Sequence, residues 1–420
     1  MKKESMRLTK ILVFLTLLFA AAACFKDPGF EAGFTGENDG SRSMPTRSYV
    51  TPERRVMLMV SAGFNSLSNY LSEDLEELEV GYVPEGKHFA SDVLLVLARL
   101  PKTMGDYKEE TSPVLYRIYK DRGGEVIKDT LHVWAPTDQI CRKEMFAEAL
   151  SMVRKEFPAG GYGMVYSSHA TGWLPDGYYT SPQDYESAHA PRRSIGQDRS
   201  LSGDIEMELK DFAECIPMHL DYLLLDACLC ACVEVAYAFR DKADIVGFSP
   251  TEVLAEGFNY LTITEKLLGG SSDPIGVCQD YFAFYDTQSG SNRSATITAV
   301  APAKMQPLAE VCKELFEKYR PAIHSLNGNN VQGYFRYNRH YFYDLKDILV
   351  QAGINAQETA RLDAALKECI LYKAATDYFL SIPLKRVCGL SMYLPSMGTT
   401  LLDNFYKANV DWNTATQLVK

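Results

Sequence analysis

The sequence predicts an α/β fold: a mostly parallel sheet flanked by helices on both faces, with a smaller, mainly helical C-terminal subdomain. Two observations carry this. Short apolar runs recur without polar alternation, as expected of strands buried on both faces, and stretches of helical periodicity separate them. Val56-Met57-Leu58-Met59-Val60 is the first run, and residues 68–78 behind it have helical spacing. Residues 92–97 (DVLLVL) form the next run. Residues 115–119 and 125–131 flank Asp121-Arg122-Gly123-Gly124, a turn sequence that predicts a hairpin. An amphipathic helix is expected over 139–157, stopped by Pro158-Ala159-Gly160-Gly161. Strands are expected at 163–168, 222–226 (YLLLD) and 243–249, with a helix over 229–240 between the last two. Beyond about Tyr285 long helical patterns take over, at 307–319 and 357–374, with one late strand at 389–394.

The chain ahead of this pattern reads as targeting and tether. Lys2, Lys3, Arg7 and Lys10 precede a short apolar core, and Ala21-Ala22-Ala23 leads into Cys24. That order of charge, apolar run and small residues is a secretory signal over residues 1–24. A cysteine directly after the small residues resembles the lipobox of bacterial lipoproteins, which implies acylation of Cys24 and a lipid anchor in the cell envelope, periplasmic or on the outer surface. Residues 25–52 are rich in Gly, Asp, Glu, Ser and Pro and read as a flexible linker. The α/β domain is then expected over 53–284 and the C-terminal subdomain over 285–420.

Composition excludes some classes. A net charge of -11 argues against a nucleic-acid partner, which needs a basic surface. Past the signal no run reaches the roughly 18 apolar residues that span a bilayer. Of ten cysteines, nine remain once Cys24 is set aside, an odd number, and a chain this long has no need of disulfide staples. Free, mostly buried thiols are expected, and a monomer.

Sites in open α/β sheets form at the carboxyl ends of strands. Two ends stand out. In GMVYSSHATGW, His169 follows a strand and precedes a small-residue turn. In YLLLDACLCACVEVAYAFR, Cys228 sits between a strand and the expected helix, whose N-terminal dipole would favour the thiolate. Asp226 opposes that thiolate, so it is assigned to the mouth of the site, facing a cationic substrate group. A single His and a single Cys in such places are more often turn or core residues. Cys230 and Cys232 read as packing residues, since positions two apart on a helix diverge too far to share an ion.

These blocks together resemble the clostripain family of cysteine peptidases, relatives of the gingipains, caspases and legumain. The resemblance rests on His169-Ala170-Thr171-Gly172-Trp173, on Asp226-Ala227-Cys228-Leu229 with Glu234-Val235-Ala236-Tyr237, on residues 249–260 (SPTEVLAEGFNY) and on the late GLSMYLP. It implies a caspase-like fold with Cys228 as nucleophile and His169 as general acid/base. It also implies an oxyanion site from the backbone N–H groups of Cys228 and Ala170, the latter where the family usually has Gly. Asp226 and Glu256 would line a pocket for Arg or Lys, with Glu256 standing where the family has Asp. Family members are often cut between His and Cys, and here the polar stretch 174–203 carries Arg192, Arg193 and Arg199 as candidate self-cleavage sites. No cofactor is implied. Calcium, on which some relatives depend, would have only scattered carboxylates and backbone to hold it. Protein or peptide substrates are the expected partners. The competing expectation is a catalytically inactive surface lipoprotein that keeps the fold to bind peptide or glycan.

Overall fold

Alternation along the first strand sets the layers. In β1 (Arg55–Ala62), Val56, Leu58 and Val60 face one apolar cluster while Met57 and Met59 face the other. The strand is therefore buried on both faces, as its unbroken apolar run requires. The computed structural model describes residues 54–86, 92–175, 195–201, 203–336 and 340–420 of the 420.

In chain order β1 is followed by α1 (Ser68–Val80), β2 (Val93–Arg99) and the hairpin β3 (Val114–Lys120) and β4 (Val126–Val133). Then come α2 (Lys143–Glu156), β5 (Gly161–Ser167), the short pair β6 (Ile195–Asp198) and β7 (Ile205–Met207), and α3 (Leu209–Cys215). β8 (Leu220–Asp226), α4 (Val233–Ala238), β9 (Ala243–Phe248), α5 (Tyr260–Leu268) and α6 (Pro274–Asp286) complete the central part. The last third holds β10 (Thr296–Val300), α7 (Met305–Ile323), β11 (Tyr343–Asp344), α8 (Leu345–Gln351), α9 (Ala356–Cys369) and β12 (Ile370–Ala375).

The main sheet has nine strands in the order β12-β10-β9-β8-β5-β1-β2-β3-β4. β9, β8, β5, β1 and β2 are mutually parallel, and antiparallel strands extend both flanks. On one face α2 packs through Met145, Phe146, Ala149, Leu150 and Val153, joined by α7 and α9. On the other, α1, α5 and α6 contribute Leu75, Leu78, Ile263, Leu267, Val277 and Tyr281. Every such helix has an apolar stripe wide enough to cover the sheet. This is the predicted α/β sheet with helices on both faces.

The structure differs from expectation at three places. The last third is mainly helical, but it is not set apart at residue 285. β10 and β12 complete one edge of the main sheet, and the described residues from Arg54 onward form one compact unit. The helix expected to 374 ends at Cys369, where the chain turns directly into β12. The late strand shrinks to Ser391–Met392, which pairs with β11. No helix among the described residues is long and apolar enough to cross a membrane. Residues 1–24 with Cys24, the 25–52 linker, and Arg192 and Arg193 lie outside the described residues.

Candidate functional site

The chain runs from β1 to β2 on one side, while β5, β8 and β9 build outward on the other. That reversal places a crevice at the carboxyl ends of β1 and β5, the position where open parallel sheets form their sites. Four loops meet there, following β1, β5, β8 and β9.

His169 and Cys228 occupy two of them at matching depth. Ser167 and Asp226 are paired residues of the parallel strands β5 and β8, and His169 and Cys228 each lie two residues beyond. Neighbouring strands run about 4.8 Å apart, so the register brings both residues to one rim. The two turns touch. A Cβ on Gly172 would sit 2.6 Å from the Leu229 carbonyl oxygen and 3.0 Å from the Phe342 ring. Gly172 has φ +64°, and Leu229, next to the cysteine, has φ +61°. A branched side chain rarely adopts that conformation, so local strain is held at the Cys228 elbow by its surroundings. In this His turn the left-handed residue is Gly172, not Ala170, which explains how alanine is tolerated at position 170.

The elbow corrects one expectation. Cys228 is not at a helix N-terminus, because α4 begins only at Val233. Residues 229–231 are pulled out of helix by partners far along the chain. Leu229 N donates to Thr251 O and Ala231 N to Ser249 O, both at 2.9 Å. Ser391 N donates to Ala231 O. The helix dipole therefore gives the thiol no help. Half-exposed by area but closely surrounded, the Cys228 thiol is pushed up to about 12, chiefly by desolvation. The Val253 amide, 3.4 Å from Sγ, and Arg336 work in the opposite direction, while Glu252 and Asp226 add to the rise.

His169 is held down at about 4 by burial, with Arg199 contributing. Resting thiol and imidazole are thus both neutral, and no hydrogen bond joins them directly in this structure. The ring is instead engaged by the loop after β1: its Nε2 lies 2.8 Å from Ser66 Oγ. Asn65, fully buried, fixes that loop by donating to Ala62 O (2.8 Å) and Gln197 O (2.6 Å). The segment after β5 is tied down as well. Ser168 Oγ donates to Ala62 O, Gly196 N donates to His169 O, and Ala170 bridges to Ile195. Beneath it, Arg99 and Asp198 form a fully buried ion pair.

Asp226 lies lower than expected. It is 6% exposed and accepts from Tyr260 OH at 2.8 Å and from Phe258 N at 3.3 Å. Gly257 (φ +56°) packs against it so closely that a Cβ there would overlap the carboxylate. Asp226 therefore anchors the loop carrying Glu256 from beneath. Glu256 is half-buried, and with Asp226 it helps raise the pKa of Tyr285, a shift led by desolvation. Arg199 is an awkward self-cleavage site. Its N–H donates to Phe64 O, its carbonyl accepts from Arg99, and its guanidinium covers the Tyr107 ring. Cys230 and Cys232 are buried packing residues, although in an elbow rather than on a helix. Among the nine described cysteines, all free, Cys228 alone is not buried. Among the described residues no three His, Cys, Asp or Glu converge as a metal ion would need.

Sequence reasoning missed Ser66, Glu252 and Arg336. Each reaches the site through topology, with no local pattern to mark it. By contrast Trp173 and Glu234, which belong to the matched blocks, are structural. Trp173 packs edge-on to Tyr393 and Tyr406, and Glu234 accepts from Tyr393 N and Tyr406 OH (2.9 and 2.7 Å). That cluster fastens the His turn to the start of α4.

A thiol and an imidazole that strand register brings to one rim of a mostly parallel sheet suit the class of cysteine peptidases. The comparisons narrow it. The sequence profile of the clostripain family matches residues 60–418, and the chain belongs to that family of cysteine proteases. The X-ray structure of an inactive zymogen C11 protease from Parabacteroides distasonis is 26% identical, with a TM-score of 0.69 over 88% of this chain and 99% of that one. A secreted C11 cysteine protease from Bacteroides thetaiotaomicron, solved with an irreversible peptide inhibitor, shares the fold at 24% identity and a TM-score of 0.69, covering 86% of this chain and 98% of that one. Another structure of a secreted C11 protease from that organism, iotapain, shares it at 21% identity and 0.70, covering 87% and 100%. Curated proteins yielded no match.

Proposed function

We propose that this protein cleaves peptide bonds after Arg or Lys, with Cys228 as nucleophile and His169 as general acid/base. The observation that carries the proposal is the shared register of the two residues, two positions past the Ser167–Asp226 pair. As substrate enters, Cys228 Sγ attacks the scissile carbonyl and its proton passes to His169. Were His169 Nε2–H to donate to Ser66 Oγ, the Nδ1 lone pair would be the acceptor for that proton. The developing oxyanion is met by backbone N–H groups of Cys228 and Ala170. His169 then protonates the leaving amine. Next it takes a proton from water, which attacks the thioester and releases the acid with the thiol restored.

Basic specificity is supported by the carboxylates of Glu252 and Glu256 on the loop against the sulfur. The test is cleavage of peptides carrying Arg, Lys, Asp or Asn before the scissile bond. Cys228→Ala should abolish turnover; equal rates in the two proteins would defeat the reading.

The neutral resting pair favours an additional reading, that the uncut chain is a weakly active precursor. Cleavage at Arg192 or Arg193 would then raise activity, and mass spectrometry of the incubated protein would locate the cut. Calcium, if it acts, should raise that activity reversibly on addition and lose it to chelator. Lipid attachment at Cys24 would hold the enzyme in the cell envelope, and an alkyne fatty-acid label lost in Cys24→Ser would establish it.

A further inference from the structure

The loop that touches the sulfur carries a carboxylate already occupied by a cation of the same chain. Val253 N lies 3.4 Å from Cys228 Sγ, so its neighbour Glu252 stands beside the reacting atom. Glu252 is not a wandering surface side chain. The backbone on its N-terminal side is pinned, since Leu229 N donates to Thr251 O and Thr251 Oγ1 bonds Thr296 Oγ1 at 2.7 Å. Its side chain is 16% exposed, and its Oε1 pairs with Arg336 Nη2 at 3.0 Å. Its Oε2 is buried without a hydrogen-bond partner. A carboxylate with one oxygen engaged and one free is an incomplete site for a guanidinium, which can satisfy both.

Arg336 reaches it from a distant part of the chain. The segment bearing it is held by Tyr334, whose N–H donates to Phe342 O and whose hydroxyl donates to the buried Asp344 at 2.7 Å. The guanidinium itself is 46% exposed. An ion pair with one partner so open to water is held weakly and exchanges readily. Of the other carboxylates near this loop, Asp226 is already engaged by Tyr260 and the Phe258 amide.

We propose that Glu252 is the carboxylate that selects a basic side chain, and that Arg336 occupies it in the empty enzyme as an internal competitor which the substrate displaces. The proposal deepens the basic-specificity reading above and rests on it. Arg336 also has a compensating effect: while Glu252 is unoccupied by substrate, its charge is offset beside the thiol. An incoming Arg or Lys restores the same balance of charge, so the thiol meets a similar field with or without substrate. A neutral side chain cannot displace Arg336 and gains nothing from Glu252.

The test separates recognition from thiol reactivity. For wild type, R336A, R336Q, E252Q and the R336A/E252Q double variant, the rate of Cys228 alkylation by an arginyl chloromethyl ketone is divided by the rate with iodoacetamide. Each rate is taken as its pH-independent thiolate value, so a change in the thiol's own ionisation does not enter the ratio. R336A and R336Q should raise it about two- to fivefold, the range for losing a partly exposed ion pair. E252Q should lower it, and R336A should add nothing in the E252Q background. A ratio unchanged or reduced in both Arg336 variants, or unchanged in E252Q, overturns the proposal. Alkylation requires no turnover, so the two readings fail separately. Absence of peptide cleavage with a responsive ratio sinks the peptidase reading, and cleavage with an unresponsive ratio sinks this one.

Discussion

Gly172→Ala is the most informative perturbation of the contact between the His169 turn and the Cys228 elbow. The glycine has φ +64°, a conformation that costs an L-residue about 1 kcal/mol or slightly more. The added methyl would also lie 2.6 Å from the Leu229 carbonyl oxygen, a backbone atom that cannot swing aside. Overpacking of that kind typically costs about 1–3 kcal/mol. Together these predict a loss of about 2–4 kcal/mol, which a protein with a stability of about 5–15 kcal/mol survives. The greater effect should be on chemistry, because relief of the overlap must part the His169 turn from the Cys228 elbow. A displacement on the order of 1 Å lowers kcat about a hundredfold. Urea melts and steady-state kinetics on an Arg peptide give both numbers. A melt moved by less than about 0.5 kcal/mol, with kcat within about twofold of wild type, would refute the coupling of the two turns.

Three further outcomes are expected. Ser66→Ala should lower kcat by roughly two- to tenfold, the worth of one hydrogen bond, with KM unchanged, and Ser66→Thr should restore part of it. A change in KM instead would mean Ser66 contacts substrate rather than orienting His169. Tyr260→Phe removes the hydroxyl that donates to buried Asp226, and should cost about 2 kcal/mol in a denaturant melt while raising KM for basic peptides. Glu234 is fully buried, and desolvation lifts its pKa to about 7, above its ordinary value. The folded protein thus holds a proton that the unfolded chain releases near pH 4.5, so stability is lost as pH rises from about 4.5 through about 7, by on the order of 3 kcal/mol in all. Glu234→Gln should flatten that slope in melts at pH 5 and 7; an unaltered slope would rule Glu234 out as its source.

The parallel strands were legible because burial on both faces writes an unbroken apolar run, as in Val56–Val60 and in the YLLLD of β8. The His and Cys blocks were legible because strand ends carry them. The short α4 was not. Residues 229–240 have helical composition, but the first of them are claimed by carbonyls of Ser249 and Thr251 and by the Ser391 amide, up to 160 residues away. Likewise β12 looks helical in isolation, and only β10 beside it makes it a strand. Ser66, Glu252 and Arg336 are ordinary polar residues in loops. What makes them part of a site is the reversal of strand order between β1 and β5, a property of the whole sheet. Asp226 has a task that its motif does not reveal: buried, it accepts from Tyr260 and the Phe258 amide and so holds up the loop after β9.

The short pair β6 and β7, with the Arg99–Asp198 ion pair beneath it, sews the chain downstream of Arg192 and Arg193 into the core through Ile195, Ile205 and Met207. A nick upstream of Ile195 would therefore leave neither fragment adrift. Both would travel as a single particle until denaturant pulled them apart, so the severed enzyme would look intact in every gentle separation and divided only in a harsh one.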